Sequence, residues 1–253
     1  MSAVRAAARI VFAAALVTAA PGVGATELRV LAAGATRIAI EELAPLHAQR
    51  SGAKVETVFD TVGAIRDRAL AGEKADIVLL SAAALKTLDE KAKLAPGSIR
   101  IIGRTGVGLA GTKVGPAIDL STPEAVRTAL LAASSVGYAD PARGPTAGIH
   151  FHGVLQKLGI AEQLAARIVL RPTGIDVVDE VAAGRIALGA SQATEITAHP
   201  GARLVGLLPD SLQLWTEYGV AVLAPGSPEA AAFVAALLAP EGEAAFRRTG
   251  FQR

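Results

Sequence analysis

The sequence predicts an α/β protein with parallel sheets and helices packed on both of their faces. Three observations carry that expectation. Short β-favouring runs alternate with helical patterns along the chain. The run Ala75–Leu80 is almost continuously apolar, as a parallel strand covered on both faces should be. The composition is 51% hydrophobic but only 4% aromatic, the Ala/Leu/Val core of packed α/β layers.

The chain has 253 residues, and its first 25 read as an export signal. Arg5 and Arg9 precede an apolar stretch, Ile10 to Ala20, and Val23-Gly24-Ala25 supplies the small residues of a cleavage site. That stretch is short for a membrane span, which needs about 20 residues. Without residues 1–25 the chain keeps 23 basic and 23 acidic residues, so global charge makes no case for nucleic acid. There is no cysteine, which excludes disulfides, thiolate metal ligands, a cysteine nucleophile and a lipoprotein anchor. An exported chain with no disulfide and no lipid tether fits the periplasm.

The first strand reads as Leu28–Leu31, followed by the tight turn Gly34-Ala35-Thr36 into a helix to about Arg50. Pro45 should kink or shorten that helix, and Gly52 should stop it. A second strand, Lys54–Phe59, runs into the turn Asp60-Thr61-Val62-Gly63. Ser81 can cap the helix that follows the buried strand. Arg104–Ala110 reads as a strand, and Thr122-Pro123-Glu124 starts a helix with a cap, a proline and an acid in sequence. Strands near Val136–Tyr138, Ile168–Leu170 and Ile186–Ala190 alternate with helices near Thr146–Leu158, Gly174–Ala183 and Ser191–Ala198. Tyr218–Leu223 is a late strand, Ser227-Pro228-Glu229 opens another helix, and Pro240–Gly250 closes the chain.

The stretch Ser135–Gly153 carries the sharpest functional signal. A strand ends at Asp140-Pro141, a Pro/Gly-rich loop follows, and Phe151, Val154, Leu155 and Leu158 then recur at helical spacing. Strand, glycine loop and helix start together present free backbone N–H groups to an anion. Arg143 within the loop adds a two-pronged charge suited to a carboxylate or an oxyanion. His150 and His152 lie two apart on that helix, about 200° from each other, and are poorly placed to share a metal ion. The chain has no G-x-S-x-G, no phosphate-loop motif and no dinucleotide fingerprint, so hydrolase, NTPase and dehydrogenase readings lack support. No cofactor or metal is expected.

The closing segment Leu237–Phe251 resembles the signature of type II periplasmic solute-binding proteins. VLAAGAT after the first strand, Phe59–Ile65, Ala75–Ala82 and Gly137–Gly148 are similar to segments of the molybdate-binding branch, in the same order. The resemblance implies two lobes joined by two crossover hinge segments: residues 26–110 with 218–253, and residues 111–217. It also implies a ligand cleft at strand ends and helix N-termini, an ABC importer as partner, and a monomer. The pattern departs from molybdate binders. Thr36 is the only hydroxyl of the first turn, and Gln192 stands where that branch has tyrosine. An anionic Asp60 beside the pocket disfavours a dianionic oxyanion. Gln192 and the segment Leu208–Val222 resemble a divergent branch similar to aconitate isomerase, an exported enzyme on the same fold.

These readings name Gly34, Ala35, Thr36, Thr61, Val62, Arg143, Gly144, Thr146, Ala147, Gln192 and Tyr218 as ligand-binding candidates. The expected function is a receptor for a small anion, most simply an organic carboxylate. The alternative is an isomerase moving a proton between carbons, for which Asp60, His150, Glu195 and Glu217 are the available bases. Spacing does not choose among the four.

Overall fold

In the computed structural model, residues 27–253 are described; the expected export signal lies outside them. The chain runs β1 (Glu27–Ala33), α1 (Arg37–Ser51), β2 (Lys54–Asp60), α2 (Val62–Leu70), β3 (Ile77–Ser81) and α3 (Ala82–Glu90). It continues through β4 (Arg100–Thr112), α4 (Pro123–Ala132), β5 (Val136–Ala139), α5 (Thr146–Lys157), α6 (Ala161–Leu164) and β6 (Ile168–Arg171). Then follow α7 (Gly174–Ala182), β7 (Leu188–Gln192), α8 (Ala193–Thr197), β8 (Ala202–Leu207), β9 (Trp215–Val222), α9 (Pro228–Leu238) and α10 (Pro240–Arg248).

The strands pair in the order β2-β1-β3-β9-β4-β7-β5-β6, with β8 on β4 as well. The expected parallel pairing holds within β2-β1-β3 and within β7-β5-β6. It fails in the middle, where β9 and β4 are antiparallel to every neighbour. The reason lies in β4, which serves two sets of partners. Residues Arg100–Gly106 pair with β9, whereas Val107–Thr112 pair with β7 and β8. A strand that leaves one set for the other returns through Leu208–Trp215, and the return strand lies antiparallel to it. The two larger of three apolar clusters among the described residues mirror this exchange. One gathers Leu31, Ile77, Leu79, Val220 and Phe233, and the other Val107, Val136, Phe151, Val154 and Leu188.

Local chemistry explains most of the element ends. Thr61, Ser81, Thr122 and Ser227 each accept a hydrogen bond from the backbone N–H three residues on. Gly52 ends α1 at φ +74°, a left-handed conformation that glycine adopts without strain. Pro45 does not break α1. Both Pro45 and Glu41, whose carbonyl it leaves free, are on the exposed side of the helix, so water can satisfy that carbonyl. Two readings needed correction. Ser191 and Gln192 belong to β7, paired with Gly108 and Val107, so the helix there starts at Ala193. The strand β8 is absent from the sequence expectations although Pro200-Gly201 turns the chain just before it; its ARLVGL run is short and interrupted by Gly206.

Candidate functional site

The two halves of the sheet meet along a cleft into which the strand-to-helix turns of both project. A cavity of about 210 Å³ lies there. Its first wall is the turn at Gly34-Ala35, the end of β2 at Phe59-Asp60, and Thr61-Val62 at the start of α2. The facing wall is Thr146-Ala147 at the start of α5, Gly174-Ile175 at the start of α7, and Ser191-Gln192 at the end of β7. Tyr218 of β9 forms the floor where the halves join. The N-terminal ends of α1, α2, α5 and α7 thus converge on one space, and their free N–H groups give it a positive bias.

Side-chain charge runs the other way. Asp60, Asp176 and Glu195 line the cavity, against Arg37 alone among the described residues. Arg37 is half-committed elsewhere, its Nε on Glu41 at 2.7 Å and its guanidinium over the Phe59 ring. Asp176 is occupied as a cap: it accepts from Thr173 N–H at 2.9 Å and from Thr173 Oγ at 2.7 Å. Asp60 accepts from Thr61 N–H at 2.8 Å.

Glu195 is different. Ser191 Oγ and, at 3.3 Å, Gln192 N–H donate to its Oε2, yet burial outweighs them and pushes the carboxyl up to about 7. Burial, with the Glu195 charge nearby, also raises the Tyr218 phenol, which therefore stays a neutral donor and acceptor. Gln192 is only 3% exposed, and neither its Nε2 nor its Oε1 has a hydrogen-bond partner among the described residues. A buried amide left open on both sides, on the wall of a cavity, is a polar group awaiting a ligand.

A model of bacterial extracellular solute-binding proteins matches residues 28–252. The chain belongs to that family. It is 32% identical over 216 residues to an aconitate isomerase from Pseudomonas sp, a match covering 81% of this chain and 79% of that protein. Among solved structures, the periplasmic molybdate-binding protein of Azotobacter vinelandii superposes with a TM-score of 0.74 at 17% identity, covering 89% of this chain and 99% of that one. The sulfate-binding protein SubI of Mycobacterium tuberculosis H37Rv gives 0.67 at 17% identity, over 89% and 86%. At such identities the two structures establish the shared two-lobed fold.

Within this solute-binding fold the sequence candidates separate. Gly34, Ala35, Thr61, Val62, Thr146, Ala147, Gln192 and Tyr218 line the cavity. Thr36 does not; it is fully buried and its hydroxyl donates to Ala33 O at 2.8 Å. Arg143 and Gly144 do not either. The Arg143 guanidinium is half exposed, donates from Nε to Pro172 O at 3.2 Å, and stands 3.6 Å from Asp60. Gly144 presses against Gly63, whose N–H donates to Gly144 O at 3.0 Å. The loop expected to hold an anion instead clasps the opposite lobe.

Of the four candidate bases, Asp60 and Glu195 reach the cavity. His150 lies in a separate groove and bonds Leu212 O at 2.7 Å, and Glu217 is exposed on β9. His152 turns to the Tyr138 hydroxyl, 3.0 Å away. Sequence reading passed over the α7 turn, Thr173 to Asp176. Its T-x-x-D capping box after a strand was the available signal, the same strand-to-helix pattern that flagged the other turns.

Proposed function

We propose that this chain is a periplasmic receptor for a small organic polycarboxylate, which it encloses between its lobes and delivers to an ABC importer. The observation that carries the reading is Gln192, a buried and unpartnered amide on a wall ringed by helix N-termini. Helix N-termini favour carboxylate oxygens, and an amide serves either a carboxylate or a carboxylic acid. Against a compact dianion such as molybdate, Asp60 and Asp176 line the cavity from its two walls, with Arg37 the one lining cation among the described residues. An extended carboxylate can place its charge at the N–H groups and its carbon skeleton on Ala35, Val62, Ala147 and Ile175. Closure pivots on β4 and on Leu208–Trp215, because the closed form is selected by contacts that ligand makes to both lobes at once. The importer then reads the closed form.

The test is a thermal-shift panel of molybdate, tungstate, sulfate, phosphate, citrate, tricarballylate and both aconitates, with every hit followed by proton NMR. A ligand that binds the folded form raises the melting temperature by mass action. A shift with a polycarboxylate and unchanged NMR peaks is the expected result. A shift with molybdate or sulfate alone overturns the reading.

A second reading has its own observation. Glu195 holds a proton near neutral pH inside the cavity, as a general acid–base group must, and a relative sharing 32% identity is an aconitate isomerase. In that case a carboxyl of the cavity removes a proton from one carbon of trans-aconitate and a proton is returned at another, moving the double bond. Appearance of cis-aconitate in the NMR tube decides for it.

A further inference from the structure

Glu195 stands where one lobe meets the other. Ser191 and Gln192, from its own lobe, hold Oε2. Oε1 faces the opposite lobe, where a Cβ built on Gly34 would come within 2.7 Å of it. Glycine at position 34 is therefore what allows the closed lobes to lie against this carboxyl. No described residue donates to Oε1, and no arginine or lysine among them pairs with Glu195. The titratable groups facing it are Asp176 on α7 and Tyr218 on β9. Asp60 and Arg37 lie on the facing wall. A carboxyl enclosed without a cation, beside another acid, is favoured as the neutral acid, and a neutral acid is a hydrogen-bond donor.

We propose that Glu195 is the specificity-determining acid of the cavity: it meets the ligand as a neutral carboxylic acid, gives its hydrogen bond to a carboxylate oxygen, and is protonated as the lobes close. The proposal rests on the polycarboxylate reading. In an open cleft the Glu195 carboxyl meets water and ionises in the ordinary carboxylate range. Closure against Gly34 removes that water, so the closed, liganded protein carries one more proton than the open protein and free ligand together. The proton comes from the buffer, and no covalent bond to the ligand forms or breaks. A ligand lacking an acceptor oxygen opposite Glu195 forfeits this bond, which selects carboxylates over amines or methyl groups at that end.

The experiment is calorimetric titration of the mature chain with trans-aconitate and tricarballylate, in two buffers of different ionisation enthalpy, from pH 5.5 to 8.5. The expected result is uptake of up to one proton per ligand bound, and affinity falling by up to tenfold for each pH unit from the ordinary carboxylate range up to about 7 and levelling off above it. Glu195→Gln removes the uptake and flattens the profile, because its amide donates without titrating. An infrared difference spectrum of ligand binding by the wild type gives a readout independent of any variant: a protonated carboxyl band grows in. Binding with no uptake and no such band overturns the proposal alone, as does uptake that persists in a folded Glu195→Gln. Absence of binding by every polycarboxylate overturns the polycarboxylate reading, and this inference falls with it.

Discussion

The hydroxyl of Thr61 donates to the backbone carbonyl of Arg143, 2.5 Å away on the other lobe. The same oxygen accepts from Ala64 N–H at 3.1 Å and so caps α2. One side chain thus begins a helix and fastens the cleft. Thr61→Val keeps the shape and loses both bonds. We expect unfolding free energy to fall by about 1–2 kcal/mol in urea titration, with weaker ligand binding, and Thr61→Ser to recover most of each.

Gly63 separates closure from stability. It lies in the first turn of α2 with Gly144 Cα directly opposite, and a Cβ on Gly63 would stand 2.8 Å from that atom. Alanine favours a helix over glycine by about 0.5–1 kcal/mol. Gly63→Ala should therefore leave the melting temperature of the ligand-free protein unchanged or higher. Ligand affinity should drop at least about tenfold, since 1.4 kcal/mol of lost closure is a factor of ten. A loss of both together would show that the contact supports the fold rather than the closed state.

Arg143 provides a contrast. Its guanidinium is half exposed and outside the cavity, and an exposed ion pair contributes about 0–1 kcal/mol. Arg143→Ala is expected to weaken ligand binding by no more than about fivefold, read by calorimetry. A hundredfold loss would return the loop to direct ligand contact.

Gln192→Leu tests the open amide. With no hydrogen bond to lose among the described residues and a buried polar group removed, stability should hold or rise. Thermal shifts by carboxylates should vanish. Retained shifts would place the ligand elsewhere.

Stability should respond to pH in two opposite ways. Arg68, with Arg29, holds Glu73 at about 2, and Arg185, with Arg171, holds Glu180 at about 2, against an ordinary 4.5. Their contribution is complete above the ordinary value and is lost as pH falls toward 2, so Glu73→Gln should blunt acid unfolding. In the closed, liganded form Glu195 is raised to about 7, so that form retains a proton the unfolded state releases. Its cost accumulates as pH rises from 4.5 to 7 and is complete above that. Glu195→Gln should gain stability at pH 8, on the order of 2 kcal/mol, and little at pH 4, as measured by urea unfolding with saturating tricarballylate.

The sequence by itself determined the order of elements and most of their ends. Caps at Thr61, Ser81, Thr122 and Ser227, the stop at Gly52 and the apolar run of β3 all act within four residues along the chain, so they are legible there. The turns at Gly34, Thr61 and Thr146 were found the same way, and all three line the cavity. What only the tertiary structure decided is which side of each turn faces the cleft. Arg143 and Thr146 sit in one loop-to-helix stretch, yet Thr146 lines the cavity and Arg143 reaches across to Asp60. That choice depends on β4 pairing with β9 more than a hundred residues away, and on a register in which a slip of one residue would turn every side chain to the other face. The protonation of Glu195 is likewise beyond local reading. It follows from what closes over the carboxyl, Gly34 from one lobe and Gly174 from the other, and burial is a property of the assembled fold.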